Sequence, residues 1–165
     1  MPMSSAITDL EQLKDHPAIA RLTAWNSTSV TGAKFDRDEM SIYIDRARIR
    51  EVCTILRDDP ECAFNFLSDV TCVDWTPAEP RFEVIYHLLS ISKKERVRLK
   101  VRLDDASPVV ESVTPVWPAA NYFEREVFDL FGIRFSGHPY LRRIQMPEDW
   151  EGHPLRKDYP VEGYR

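Results

Sequence analysis

At 165 residues with 43% hydrophobic side chains, the chain has the size and apolar content of one domain built around one core. A net charge of −5 and a sequence pI near 5.4 exclude the broad basic footprint of a protein that holds nucleic acid by general electrostatics. No window approaches the ~20 consecutive apolar residues of a membrane-spanning helix, and Met1 to Ser5 begin no charged-then-apolar signal peptide, so the chain is expected in the cytoplasm.

The first element is a short helix, with Thr8 and Glu11 as a capping pair, Ile7, Leu10 and Leu13 on its apolar side, and His16-Pro17 interrupting it. Two strands follow around an Asp36-Arg37-Asp38 turn. In the second, Met40, Ile42 and Ile44 share one face, and Ser41, Tyr43 and Asp45 the other. Asp45 caps a helix in which Ile49, Val52, Cys53 and Leu56 recur at i, i+3, i+4 and i+7, with Arg46, Arg50 and Arg57 left for solvent. Cys53 is therefore a packing residue. Together with Cys62 and Cys72 it forms no CxxC pair, which indicates neither a disulfide framework nor a zinc site.

Apolar stretches from Ala63 to Trp75, Phe82 to Ile91 and Arg96 to Leu103 read as three further strands separated by turn residues. In the last, Val97, Leu99, Val101 and Leu103 alternate with Arg96, Arg98, Lys100 and Arg102, giving a buried face and a cationic one. Such a row is either a solvated sheet face or a partner-binding stripe, because like charges side by side repel unless acidic groups lie opposite.

From Trp117 the chain runs WPAANYFEREVFDLFGIRFSGHP, a helix started by Asn121 with Glu124 and ended by Gly132. Phe123, Val127, Leu130 and Phe131 form its apolar stripe. At about 100° per residue, Arg125 and Asp129 fall opposite that stripe as an exposed i, i+4 pair. Glu126 lies at the edge of the buried side and calls for an arginine such as Arg134, Arg142 or Arg143. Replacing Glu126 by Gln is accordingly expected to cost more stability than replacing Arg125 by Ala. Phe128 projects between Glu124 and Arg125, as an interface anchor would.

After Ser136, prolines 139, 147, 154 and 160 and glycines 137, 152 and 163 rule out a long helix. Tyr140, Leu141, Ile144, Met146, Trp150, Leu155 and Tyr159 are nonetheless too apolar for a solvated linker. The expected organisation is an α+β domain over residues 1–135 and an extended C-terminal arm over 136–165 that wraps a neighbouring subunit. Truncation at Ser136 is then expected to leave the domain folded while assembly is lost.

Three chemistries find little support. An acid–base enzyme would use Glu124, Glu126, His138 and His153, but both histidines sit in Gly-His-Pro triplets, where an imidazole more often ties a turn together. The spacings of His138, His153, Cys62 and Cys72 match no common zinc pattern. Arg142, Arg143, Arg156 and Lys157 with Tyr140, Trp150 and Tyr159 would suit nucleic acid, yet Glu148, Asp149, Glu151 and Asp158 neutralise them.

The stretch EREVFDLFGIRFSGHPYLRRIQMPEDWEGHPLRKDYP resembles, along its whole length, the signature region of the C-type subunit of bacterial respiratory complex I, the thirty-kilodalton-subunit family. Its ERE triplet, DLFG helix end, GHP followed by LRR, MPEDW and GHPLRKDYP stand in that family's order. The resemblance implies a mixed or antiparallel sheet of about five strands covered by about three helices. It also implies a cofactor-free structural subunit in the peripheral arm of a proton-translocating NADH:quinone oxidoreductase. There electrons pass from NADH through FMN and iron–sulfur clusters held by other subunits to quinone, and no catalytic residue is expected in this chain. The absence of a CxxCxxC run, a GxGxxG after a strand and a P-loop agrees.

The partners implied are the D-type subunit, which carries the quinone site, and adjacent iron–sulfur subunits, on the cytoplasmic side of the inner membrane, with membrane contact only through the complex. The residues implied in the interface or its support are Glu124, Arg125, Glu126, Phe128, Asp129, Gly132, His138, Pro139, Arg142, Arg143, Trp150, Arg156, Lys157, Asp158 and Tyr159. The alternative is the equivalent subunit of a membrane-bound hydrogenase or formate hydrogenlyase, which carries much the same signature.

Overall fold

The structure, a computed structural model, describes residues 6–163. The reading of Met1 to Ser5 lies outside the described residues, as do the last two of the expected arm. The chain opens with α1 (Leu10–Leu13), a single turn whose cap is Asp9 rather than Thr8: the Asp9 carboxylate accepts from the Glu11 N–H at 3.0 Å. His16-Pro17 does interrupt it, but Pro17 also starts α2 (Pro17–Trp25), where its fixed φ and missing N–H suit the first turn. The sequence reading missed this second helix, which buries Ala18, Ile19 and Leu22.

The hairpin forms as expected, β1 (Val30–Asp36) against β2 (Glu39–Ile44). Arg37 and Asp38 take φ of 54° and 62°. Positive φ at both loop residues is the two-residue turn whose twist matches the flanking strands. Asp45 caps the next turn, accepting from the Ala47 N–H at 3.0 Å; a 3₁₀ turn over Arg46–Arg48 leads into α3 (Ile49–Asp58). Ile49, Val52, Cys53 and Leu56 are all fully buried, so the 3.6-residue period was read correctly.

Three strands complete the main sheet: β3 (Phe66–Asp74), β4 (Phe82–Ser90) and β5 (Glu95–Leu103). The order is β1-β2-β5-β4-β3, antiparallel except for the parallel β2–β5 pair, so the sheet is mixed. A parallel pair requires a crossover, and α3 begins the connection that carries the chain from β2 to β3 and back through the β3–β4–β5 meander. One core joins Ile42, Leu99, Val101, Phe82, Val84, Tyr86 and Val70 to Leu22, Val52, Leu56, Val127 and Phe131 from the helices. Each such side chain, fully buried, is worth about 1.5–3 kcal/mol.

On the other face the cations of β5 find their acids. Glu83, 1% exposed, stands across from Arg102 and takes ion pairs from Lys100 Nζ and Arg102 Nε, each at 2.8 Å, while Arg98 pairs with Glu39. Lys100 also lies over the Tyr43 ring and Arg102 over that of Trp75. Much of the charge in this row is met within the sheet.

A short parallel pair, β6 (Val109–Glu111) and β7 (Arg134–Ser136), brackets α4 (Ala120–Phe131). The expected Asn121–Glu124 capping pair is absent, since the helix starts at Ala119 with no side-chain cap and Glu124 is drawn inward. Beyond β7, residues 137–163 form no helix or strand and lie folded back along α4 and the ends of β3 and β4. The residues expected to form an extended arm are thus hydrogen-bonded to their own domain, as a strap. No helix among the described residues is long and apolar enough to cross a membrane.

Candidate partner interface

Helix α4 supports the site. Its end is set by Gly132, whose N–H bonds to the Phe128 carbonyl at 2.9 Å with φ at 77°, the left-handed conformation that terminates many helices. A Cβ at this glycine would lie 2.7 Å from His153 Cδ2 and 2.8 Å from an Arg156 nitrogen. Backbone conformation and the close approach of the strap both demand glycine here.

Asp129 is where the strap is held. Its Oδ2 accepts from the N–H groups of Ile144, Gln145 and Met146 at 2.9, 2.7 and 2.9 Å, and its Oδ1 accepts from Arg143 at 2.7 Å. The side chain is fully buried, not exposed opposite the apolar stripe as the projection had it. Burial pushes its pKa up, but the three amides and the guanidinium outweigh burial and hold it below the usual carboxylate value. Arg143 also donates to the carbonyls of Asp129, Trp150 and Gly152, and His153 Nδ1–H donates to the Asp129 carbonyl at 2.8 Å. Phe128, half-buried, meets the His153 ring edge-on at 6.4 Å.

Arg125, half-exposed, does not pair with Asp129. It donates to the carbonyls of Arg142 and Arg143, each at 3.1 Å. Among the described residues Glu126 meets no arginine either; its side chain bonds the Gln145 amide at 3.4 Å, near the limit of a hydrogen bond.

Glu124 turns inward and bridges to the loop before the helix, accepting from Ser112 Oγ at 2.6 Å and the Val113 N–H at 2.7 Å. Burial raises its pKa to about 7 against these two bonds. The His138 imidazole, its side chain also fully buried, accepts the Tyr140 N–H on Nδ1 at 3.0 Å. Nε2 must therefore carry the proton that it donates to the Asn121 carbonyl at 3.1 Å. Burial lowers the pKa of both His138 and His153, so each serves as a neutral tie within its turn.

The second fastening centres on Arg81, which the sequence reading did not single out. Its guanidinium makes a two-bond fork to buried Asp74 at 2.8 and 3.0 Å, reaches Asp105 at 2.9 Å, and makes a second fork to Asp158 of the strap at 2.8 and 3.0 Å. The Lys157 N–H donates to Asp74 at 2.9 Å. The bond from Arg81, aided by the N–H groups of Lys157 and Thr76, holds the Asp74 carboxyl far below the usual range, and Asp74 and Asp158 raise the Arg81 pKa. Arg156 closes the cluster, donating to the Phe131 carbonyl at 2.6 Å and stacking on Phe82.

Of the residues singled out by sequence, Asp129, Arg143, Arg156, Lys157 and Asp158 thus hold the strap, Arg125 and His138 tie its first turn, and Gly132 makes room for it. Pro139 and Trp150 lie exposed on the strap, while Tyr159, half-buried, bonds its N–H to the Arg156 carbonyl at 3.0 Å. Facing outward are Tyr140, Ile144, Trp150 and Leu155, between 38% and 52% exposed. Among the described residues no group of three or more His, Cys, Asp or Glu side chains is arranged to hold a metal ion. The three thiols are buried, which raises Cys62 to about 11 and Cys72 to about 12, with Cys53 higher still.

A family model described as the respiratory-chain NADH dehydrogenase 30 Kd subunit matches residues 42–165. The C-type subunit of NADH-quinone oxidoreductase from Roseiflexus sp. (strain RS-1) is 51% identical over 149 residues, covering 90% of this chain and 86% of that protein. The protein of the same name from Xanthobacter autotrophicus is 47% identical, covering 88% and 69%. Among solved structures, the trypsin-resistant fragment of Nqo5 superposes with a TM-score of 0.54 at 33% identity, covering 62% of this chain and 83% of the fragment. A chain of the membrane-bound sulfane sulfur reductase, an archaeal respiratory membrane complex, superposes with a TM-score of 0.71 at 26% identity, covering 87% and 84%.

Proposed function

The chain belongs to the 30-kDa subunit family of respiratory-chain NADH dehydrogenases, and on that premise we propose that it is a structural part of such a complex, with no catalytic residue or cofactor of its own. The observation that carries this reading is the use made of its signature stretch. Glu124, Arg125, Asp129, Arg143, Arg156 and Asp158 are committed to internal bonds, Asp158 in a bidentate fork with Arg81, and these groups converge largely on backbone, not on an open cavity. A catalytic cluster leaves reactive groups facing a space for substrate; this one fastens a strap.

The strap presents Tyr140, Ile144, Trp150 and Leu155 outward. Aromatic and aliphatic side chains exposed on a rigid, hydrogen-bonded support are suited to a protein partner, because little further ordering is needed on binding. The partner proposed is the D-type, quinone-site subunit, with iron–sulfur subunits adjacent, on the cytoplasmic side of the inner membrane. Higher identity to the NADH-quinone oxidoreductase relatives than to the sulfane sulfur reductase chain favours the NADH-linked complex over its hydrogenase-type cousins.

Affinity purification of the tagged full chain from membranes of its native cell tests the reading. The expected result is co-purification of NADH:quinone reductase activity together with flavin and iron, all of which separate from the tagged chain when the complex is taken apart. Iron or flavin that stays with the dissociated chain, in stoichiometric amount, would contradict it.

A further inference from the structure

Two guanidinium groups share one exposed ring at the start of the strap. The Arg125 and Arg142 guanidiniums lie 5.5 and 4.8 Å from the centre of the Tyr140 ring, which is 51% exposed. The arrangement is fixed from below. Arg125 is held by its bonds to the Arg142 and Arg143 carbonyls, and Tyr140 by its N–H to His138, which is itself tied to α4.

Neither guanidinium has a carboxylate within ion-pairing distance among the described residues. The arginines that fasten the strap differ: Arg81 meets Asp74, Asp105 and Asp158, Arg143 meets Asp129, and Arg156 meets Asp105. Two like charges on one ring repel each other. A planar guanidinium fork is matched by a carboxylate, which would relieve the repulsion while the ring excludes water from the pair.

Resting on the reading of the strap as a face for a neighbouring subunit, we propose that Arg125, Tyr140 and Arg142 form a clamp for an aspartate or glutamate side chain of that neighbour. Ile144, 38% exposed and two residues beyond Arg142, extends the site with apolar surface, as a protein partner needs and a free anion does not.

The test uses the full chain in its complex. Arg142 makes no ion pair among the described residues, so Arg142→Glu should leave the melting temperature of the isolated chain unchanged. The same variant should lower the amount retained in the washed complex about tenfold, the size expected for one lost charge-assisted pair, with Arg142→Lys retaining an intermediate amount. A photo-crosslinking phenylalanine analogue at position 140 should capture an Asp- or Glu-containing peptide from a neighbouring subunit. Undiminished retention of Arg142→Glu, or capture of lipid or of a peptide without an acidic residue, would overturn the clamp. Trp150→Asp with Leu155→Asp separates the two claims: if this pair abolishes assembly while Arg142→Glu does not, the clamp alone fails, and if neither matters, the strap-face reading fails with it.

Discussion

Glu124 combines full burial with a pKa raised to about 7. An acid raised from 4.5 to about 7 on folding binds its proton more tightly in the folded chain. Its contribution is thus fully present below pH 4.5 and is lost as the pH climbs to 7, a change of about 3 kcal/mol at most. The lowered pKa values of Asp74, Asp129 and Asp158, and of His138 and His153, act in the opposite direction, gaining stability as the pH rises. Comparison with Glu124→Gln isolates the term. Chemical denaturation from pH 5 to 8 should show wild type losing stability relative to the variant as pH rises, and parallel curves would refute it.

The same scale reverses the expected ranking of Arg125 and Glu126. Arg125 makes two charge-assisted bonds to strap carbonyls, whereas half-exposed Glu126 touches only an amide at 3.4 Å. Arg125→Ala should cost about 1–2 kcal/mol and Glu126→Gln under about 0.5 kcal/mol, read from denaturant midpoints. The opposite order would mean that the strap is not held through Arg125.

At the scale of elements, the regular pieces were legible wherever a period repeated. The hairpin, α3 and the alternation of β5 follow directly from their residue patterns. Asp129 was not legible, because a helical projection sends a polar residue outward unless something aperiodic covers it, and here the strap does. Nor was Arg81, whose carboxylate partners lie 7, 24 and 77 residues away, with no local spacing to mark them. The strap was read as an arm for the same reason: its composition shows that it must be covered but not by what. Cutting at Ser136 would take Arg143 and three amides from Asp129, take the Lys157 N–H and Asp158 from Asp74 and Arg81, and bare the surface of α4 that the strap covers. A hydrogen bond to a charged group is worth about 1.5–3 kcal/mol, and the cut removes several at once from a typical total of about 5–15 kcal/mol. The truncated chain should therefore melt far below the full one, or fail to fold, by circular dichroism. An unchanged melt would restore the separable arm.

In the whole molecule, residues 137–160 are bound to their own domain before assembly, and under the proposed function their outer surface then meets a neighbouring subunit. On the proposed function the chain contributes shape to the complex, and shape requires the strap to be preformed. Hydrogen–deuterium exchange on the isolated chain and on the assembled complex tests both at once. The amides of Ile144, Gln145 and Met146 should be protected in the isolated chain, since each donates to buried Asp129. Segments around Tyr140, Trp150 and Leu155 should gain further protection on assembly. Free exchange at residues 144–146 in the isolated chain, or no added protection of the strap in the complex, would contradict the account.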